Sequence, residues 1–295
     1  MRTTIATRMR LGLVLPATLS AVSLFAQSSL VDEGRGALDR GDYDKAIEIL
    51  EKAVAESPKS AEAHYVLASA YGAKTQGSSL FGKARYGPKM KAELETAVAL
   101  DPAHVQARYM LVQVYAFAPR MMGGSDDKAF EQAKEIKSLD PVVGHRAYAS
   151  IYTQQKKPDL AKQEYLAAIR EQPDSPKAHS FFGQYLVNVE KNYTAAFSEF
   201  ETALKLDPGY MAAFYHIGRT AAQAGTDLAR GEEALRKYLA YTPKPNEPAH
   251  ANAHYFLGAL YEKQGKKAEA QRCYQAALKL NPALKEASEA LKRVS

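Results

Sequence analysis

The sequence predicts an all-α protein, a solenoid of about seven antiparallel helix pairs followed by one more helix. Three observations predict it. Seven prolines (Pro58, Pro102, Pro141, Pro173, Pro208, Pro243 and Pro282) each close an amphipathic stretch, at spacings of 44, 39, 32, 35, 35 and 39 residues. Self-similarity at such a period marks stacked units, each able to bury its apolar face only against its neighbours. Proline fits the end of a helix because it has no N–H to donate and disfavours helix in the residue before it. The second observation is a shared register. Twelve residues before the prolines stand Ala46, Met90, Ala129, Ala161, Ala196, Gly231 and Ala270, nearly all small. Eight before stand Leu50, Leu94, Ala133, Tyr165, Phe200, Leu235 and Tyr274, mostly large, and five before stand Ala53, Ala97, Ile136, Ala168, Ala203, Tyr238 and Ala277. The third is their spacing: steps of three and four residues place all three positions on one helical face.

The chain opens with an address. Residues 1–26 carry Arg2, Arg8 and Arg10, no acid, and an apolar run from Leu11 to Phe25 ending at the small Ala26. This pattern reads as a cleaved secretory signal peptide, with an arginine-rich mitochondrial presequence as the alternative. The run falls short of the roughly 20 residues that a membrane-spanning helix needs. No cysteine lies near Ala26 to carry a lipid. The repeat register independently starts the first unit near Gln27, so the solenoid is expected over 27–295. Removing the three arginines lowers the net charge from +6 to +3. The basic balance is therefore weak evidence for nucleic acid, and none is expected as a partner.

In the first unit Asp39, Asp42 and Asp44 flank Gly41, which reads as turn chemistry and helix capping. The second unit is about ten residues long in excess, and the sequence places the insertion in its internal turn, Gly72 to Pro88. No acid occurs from Ala63 to Ala92, while Lys74, Lys83, Arg85, Lys89 and Lys91 gather around Leu80, Phe81 and Tyr86. The third unit has a smaller insertion, Pro119 to Ser125, in the equivalent turn. Stacking should make the two insertions neighbours, on an edge where partners often bind. The fourth unit is two residues short, so Ala147, Ala149 and Tyr152 fit its first helix only after a local shift. Asn192-Tyr193-Thr194 in the fifth is a formal glycosylation acceptor. The sixth, with Gly231, is irregular. After Pro282, residues 283–295 read as a cap, with Leu284, Ala287 and Leu291 facing inward and Lys285, Glu289 and Lys292 outward.

The seventh unit is the clearest: Leu257, Gly258 and Tyr261, then Gly265 in the turn, then Ala270, Tyr274, Ala277 and Pro282. Residues 251–284 resemble the tetratricopeptide repeat. Gly34, Ala68, Val112, Gly183 and Gly218 take its glycine site in other units, and Tyr71 and Tyr115 its tyrosine site. Over about residues 27–284 the chain resembles the tetratricopeptide-repeat family, which implies a right-handed solenoid. It departs from the family at the usual tryptophan site, held here by Leu30, His64, Arg108, His179, Phe214 and His254.

The resemblance implies a non-enzymatic scaffold that binds a protein or peptide, and with the leader it suggests an exported bacterial envelope protein, periplasmic or secreted. By register the inner surface receives Tyr65, Tyr109, Arg146, Ser180, Tyr215 and Tyr255, with Gln113, Gln184 and Arg219 one turn on. Tyrosine, arginine and glutamine suit peptide binding, since they join rigid apolar area to hydrogen-bonding tips. The basic cluster of Lys74, Lys83, Arg85, Lys89 and Lys91 supports an alternative, an accessory subunit or a binder of anionic envelope polymers. A metal- or substrate-handling enzyme is a remote alternative, and no catalytic residue, cofactor or metal is assigned. His250 and His254 have chelating spacing but no further ligand in view, and Met121–Met122 alone make a thin copper set. Cys273 reads as a packing residue.

Overall fold

The computed structural model describes residues 18–75 and 79–295, so the basic start of the leader and residues 76–78 lie outside the described residues. Those described form fifteen α-helices and no strand. They run α1 (Thr18–Asp39), α2 (Tyr43–Glu56), α3 (Ala61–Thr75), α4 (Leu80–Leu100), α5 (Val105–Phe117), α6 (Asp126–Leu139), α7 (Pro141–Gln154) and α8 (Pro158–Glu171). The series continues with α9 (Pro176–Tyr185), α10 (Tyr193–Leu206), α11 (Met211–Ala224), α12 (Leu228–Leu239), α13 (His250–Lys263), α14 (Lys267–Leu280) and α15 (Lys285–Val294). Each odd helix packs on the even helix that follows it, making seven pairs, and α15 covers α14. Odd helices also touch each other across units, as α1 with α3, α5 with α7 and α11 with α13. No comparable contact joins even helices among the described residues, so the odd helices line the inner side of the curve.

The register explains each pair. A Cβ added to Gly34 would run into Leu50, to Gly183 into Phe200, to Gly218 into Leu235 and to Gly258 into Tyr274. The small site of the first helix thus accepts the large residue eight before the proline of the second. In the third unit the sizes are exchanged: Val112 and Ala133 hold the two positions, both fully buried. About half of the helix starts are capped by side chains that satisfy otherwise unpaired N–H groups. Asp42 accepts from Lys45 N at 3.3 Å, and Asn192 from Ala195 N at 3.1 Å.

One feature departs from the sequence reading, and two go beyond it. Among the described residues the insertion is mostly helix rather than turn: α3 runs to Thr75, and α4 starts at Leu80, capped by Ser79, and carries Pro88 within it. The fourth unit is short because no turn separates α6 from α7; Asp140 ends the first and caps the second, accepting from Val143 N at 3.1 Å. The core is divided. Ala147 and Ile151 belong to an N-terminal cluster and Ala149 to a C-terminal one, meeting in α7 where His145 and Arg146 interrupt the apolar series.

The two ends of the solenoid approach one another. A Cβ on Gly41 would fall against Asn281 and Ala283, although these lie in the first and last turns. Residues 240–249, the longest link between helices among the described residues, cross to the first units as a proline-rich strap. Tyr65 Oη donates to Asn246 Oδ1 at 2.8 Å across this junction. A cavity of about 620 Å³ remains there, bordered by Arg35, Arg40, Val66, Pro243 and Glu247.

Candidate partner-binding site

Much of the polar chemistry visible in the sequence is spent inside the fold. At the tryptophan site, His64 places Nδ1 2.5 Å from Glu93 and Nε2 3.1 Å from the Pro58 carbonyl. His179 repeats this with Glu199 at 2.7 Å and the Pro173 carbonyl at 3.1 Å. Arg108 does the same with Gln132 and the Pro102 carbonyl, both at 2.7 Å. Each side chain joins the proline turn behind it to the second helix of its own unit. Glu199 raises the His179 pKa, because a carboxylate favours the charged ring. His250 Nε2 donates to the Tyr241 carbonyl at 2.8 Å, while His254 is pushed down by burial and then by His250. Burial pushes the Cys273 thiol up to about 11, an inert environment for a nucleophile.

The residues expected on the inner surface separate into three groups. Tyr65 is buried and occupied by the strap. Tyr215 is core rather than surface, enclosed by His216, Tyr238 and Phe256 at 5.3, 5.4 and 5.9 Å between ring centres. Ser180 is also fully buried. Register fixes the direction of a side chain, and the strap and the tight α11–α13 contact decide its depth. Tyr109, Arg146, Gln184, Arg219 and Tyr255 stay half-buried. Arg146 lies 4.9 Å from the Tyr109 ring and 4.2 Å from Phe181, so α5, α7 and α9 present a continuous aromatic–cation stack. Phe181, which register did not single out, completes it. Tyr109 Oη pairs with Ser150 Oγ at 3.0 Å, and Arg219 donates to Asn188 at 2.7 Å. Tyr255 packs on Phe256 and Tyr274 further along.

Gln113 turns away from this row into an apolar groove of about 950 Å³ between α3, α4, α5 and the 3₁₀ turn Arg120–Met122. The two insertions do meet here, since the 3₁₀ turn contacts α4. The basic cluster is more fully neutralised than its sequence suggested. Lys74 pairs with Asp44 at 2.7 Å, Lys89 with Glu51 at 3.6 Å and Lys91 with Glu95 at 3.7 Å. The acids missing from 63–92 are thus supplied partly by α2, a contact that local sequence does not show. Arg85 lies over the Tyr86 ring at 5.2 Å, and Lys83 lines the groove. Neither makes an ion pair with a described residue.

Comparison with known proteins agrees with the geometry. Residues 40–118, which contain the groove-forming helices α3, α4 and α5, match the family described as regulator of microtubule dynamics protein 1-3. Among solved structures, a human IFIT1 dimer with PPP-AAAA is similar at 20% identity and TM-score 0.54, covering 91% of this chain and 63% of that one. Yeast Tom70 is similar at 15% identity and TM-score 0.54, with 85% and 58% covered. A chain of the APC/C hetero-tetramer Cut9-Hcn1 is similar at 17% identity and TM-score 0.51, with 88% and 47% covered. This chain therefore spans 47% to 63% of the length of these three, and the likeness concerns the fold alone. Three further segments, residues 19–60, 146–210 and 251–284, match tetratricopeptide-repeat families. With the stacked pairs and their small-to-large register, these matches support a tetratricopeptide-repeat protein, a fold whose usual role is protein binding.

Proposed function

We propose that the chain is an exported, non-enzymatic scaffold of the bacterial cell envelope that holds a protein or peptide partner on its inner face. The observation that carries this reading is the Tyr109–Arg146–Phe181 stack on three successive odd helices. Its side chains are half-buried, hence already ordered, and they offer aromatic area with a cation at the centre. Conformational freedom lost before binding need not be lost during it, which favours affinity. Affinity capture from an envelope fraction tests it: Tyr109→Ala with Arg146→Ala should lose the partner while the protein stays folded, as its helical signal shows. Undiminished capture by this double variant would overturn the inner-face reading. Export rests on the basic, apolar and small pattern before Gln27. N-terminal sequencing should find the mature chain beginning within a few residues of Gln27; a cytosolic protein starting at Met1 would refute it.

A second reading comes from the match over residues 40–118, whose description names microtubule regulators. On this reading the chain acts on a filament through the same helices, and co-sedimentation with microtubules would reveal it. The accessory-subunit or anionic-polymer alternative would draw on Lys83 and Arg85. Binding of that kind should weaken sharply in 1 M salt, where the screening length falls to about 3 Å.

A further inference from the structure

We propose that the groove between α3, α4 and α5 is a second docking site, independent of the inner-face stack, for a short acidic segment bearing large apolar side chains. Its wall is apolar and adaptable. Met90, Met110 and Met122 come from three different elements, joined by Val114, Phe117 and Pro119. Unbranched thioethers reshape around an occupant with little strain, as suits a surface that accepts apolar anchors. Phe117 is 51% exposed and Met121, beside Met122, is 93% exposed, so the apolar area continues outside the cavity. At about 950 Å³ the space lies within the range of sites that enclose a ligand. It is open on the α4 side too, since a Cβ on Gly87 would meet nothing within 4 Å.

Charge selects the occupant. Lys83 stands in the wall and Arg120 sits on the adjoining 3₁₀ turn, while Arg85 lies round the helix over Tyr86; none makes an ion pair with a described residue. The other cations of the cluster are held by Asp44, Glu51 and Glu95. No Asp or Glu lines the groove among the described residues. An acidic segment therefore gains both apolar burial and complementary charge, a basic one gains only the first, and a bare polyanion only the second. The combination favours the segment over the polymer.

Fluorescence anisotropy with short synthetic peptides tests this. One peptide carries Leu and Phe anchors flanked by Glu; in two controls Ser replaces the anchors or Lys replaces the Glu. Polyglutamate and phosphatidylglycerol vesicles serve as competitors. The acidic apolar peptide should bind at least about tenfold more tightly than either control, a difference of about 1.4 kcal/mol. Gly87→Leu, which fills the open side, and Lys83→Glu should each weaken it by a similar factor. Tyr109→Ala with Arg146→Ala should leave it unchanged, which separates this site from the inner face. If Gly87→Leu lowers the melting midpoint, Met122→Glu on the 3₁₀ turn replaces it as the blocking variant. Equal binding of the Ser control overturns the proposal. So does equal competition by polyglutamate or vesicles combined with insensitivity to the blocking variant, a result that would mark the edge as a plain anionic surface.

Discussion

His216 and His179 show how differently one residue type behaves in neighbouring units. His216 is buried against Phe200, with ring centres 5.6 Å apart, and burial depresses its pKa to about 3. The unfolded ring takes a proton near 6.5 and the folded one resists it, so stability falls as pH drops below about 6.5 and continues to fall toward 3. His179 has the opposite sign. Its raised pKa contributes stability that is fully present below about 6.5 and is lost as pH rises through the folded value. Phe preserves the ring contact without the proton. His216→Phe should therefore gain on the order of 2 kcal/mol relative to wild type at pH 5, and little at pH 8. Melting curves at the two pH values check this, and parallel losses in both proteins would exclude the histidine as the cause. The sequence shows three histidines, His64, His179 and His254, at one repeat position. It does not show that His64 and His179 each bond a proline carbonyl six residues back, because that bond depends on how the preceding turn folds over.

Helix contacts were the most legible level. Ala161, Ala196 and Ala270 were placed at close approaches by their offset from a proline, and all three are fully buried. Ala196→Leu must overpack the interface, at a cost of roughly 1–3 kcal/mol. Lys205→Leu, on the exposed side of the same helix, should cost little. Equal melting midpoints for the two variants would contradict the register. Gly258→Ala should be destabilising for a related reason, since its Cβ would press on Tyr274, which is buried and donates to Glu262 at 2.6 Å. The start of α4 was misread on sound local grounds: Gly72, Gly82, Gly87 and Pro88 all favour a turn. Ser79 supplies the missing cap, and the Tyr71–Tyr86 and Lys89–Tyr71 ring contacts hold the added turns against α3. Those contacts lie between residues whose partnership only the folded pair reveals.

Within residues 240–249 only Pro243 carried a repeat signal, so nothing in the sequence announced that Asn246 would meet Tyr65. A linear repeat array behaves as a one-dimensional chain of units, each stabilised by its nearest neighbours, and such a chain melts inward from whichever end is weaker. Joining the ends changes the boundary condition. An end unit that touches its opposite number gains a second neighbour, so its local opening must break two interfaces instead of one. Tyr65→Phe removes the bond between the ends while keeping the ring, and should cost only about 0.5–1.5 kcal/mol in global stability. Its larger effect should appear in amide hydrogen exchange, with protection in α1 and α13 falling more than in α7. Uniform loss across the three helices would show that the strap closes nothing. With the bond intact, thermal unfolding should approach a single transition, as for a closed loop of coupled units. Weakening it should broaden that transition toward the staggered melting of an open one, with the contact of Gly41 with Asn281 and Ala283 still in place.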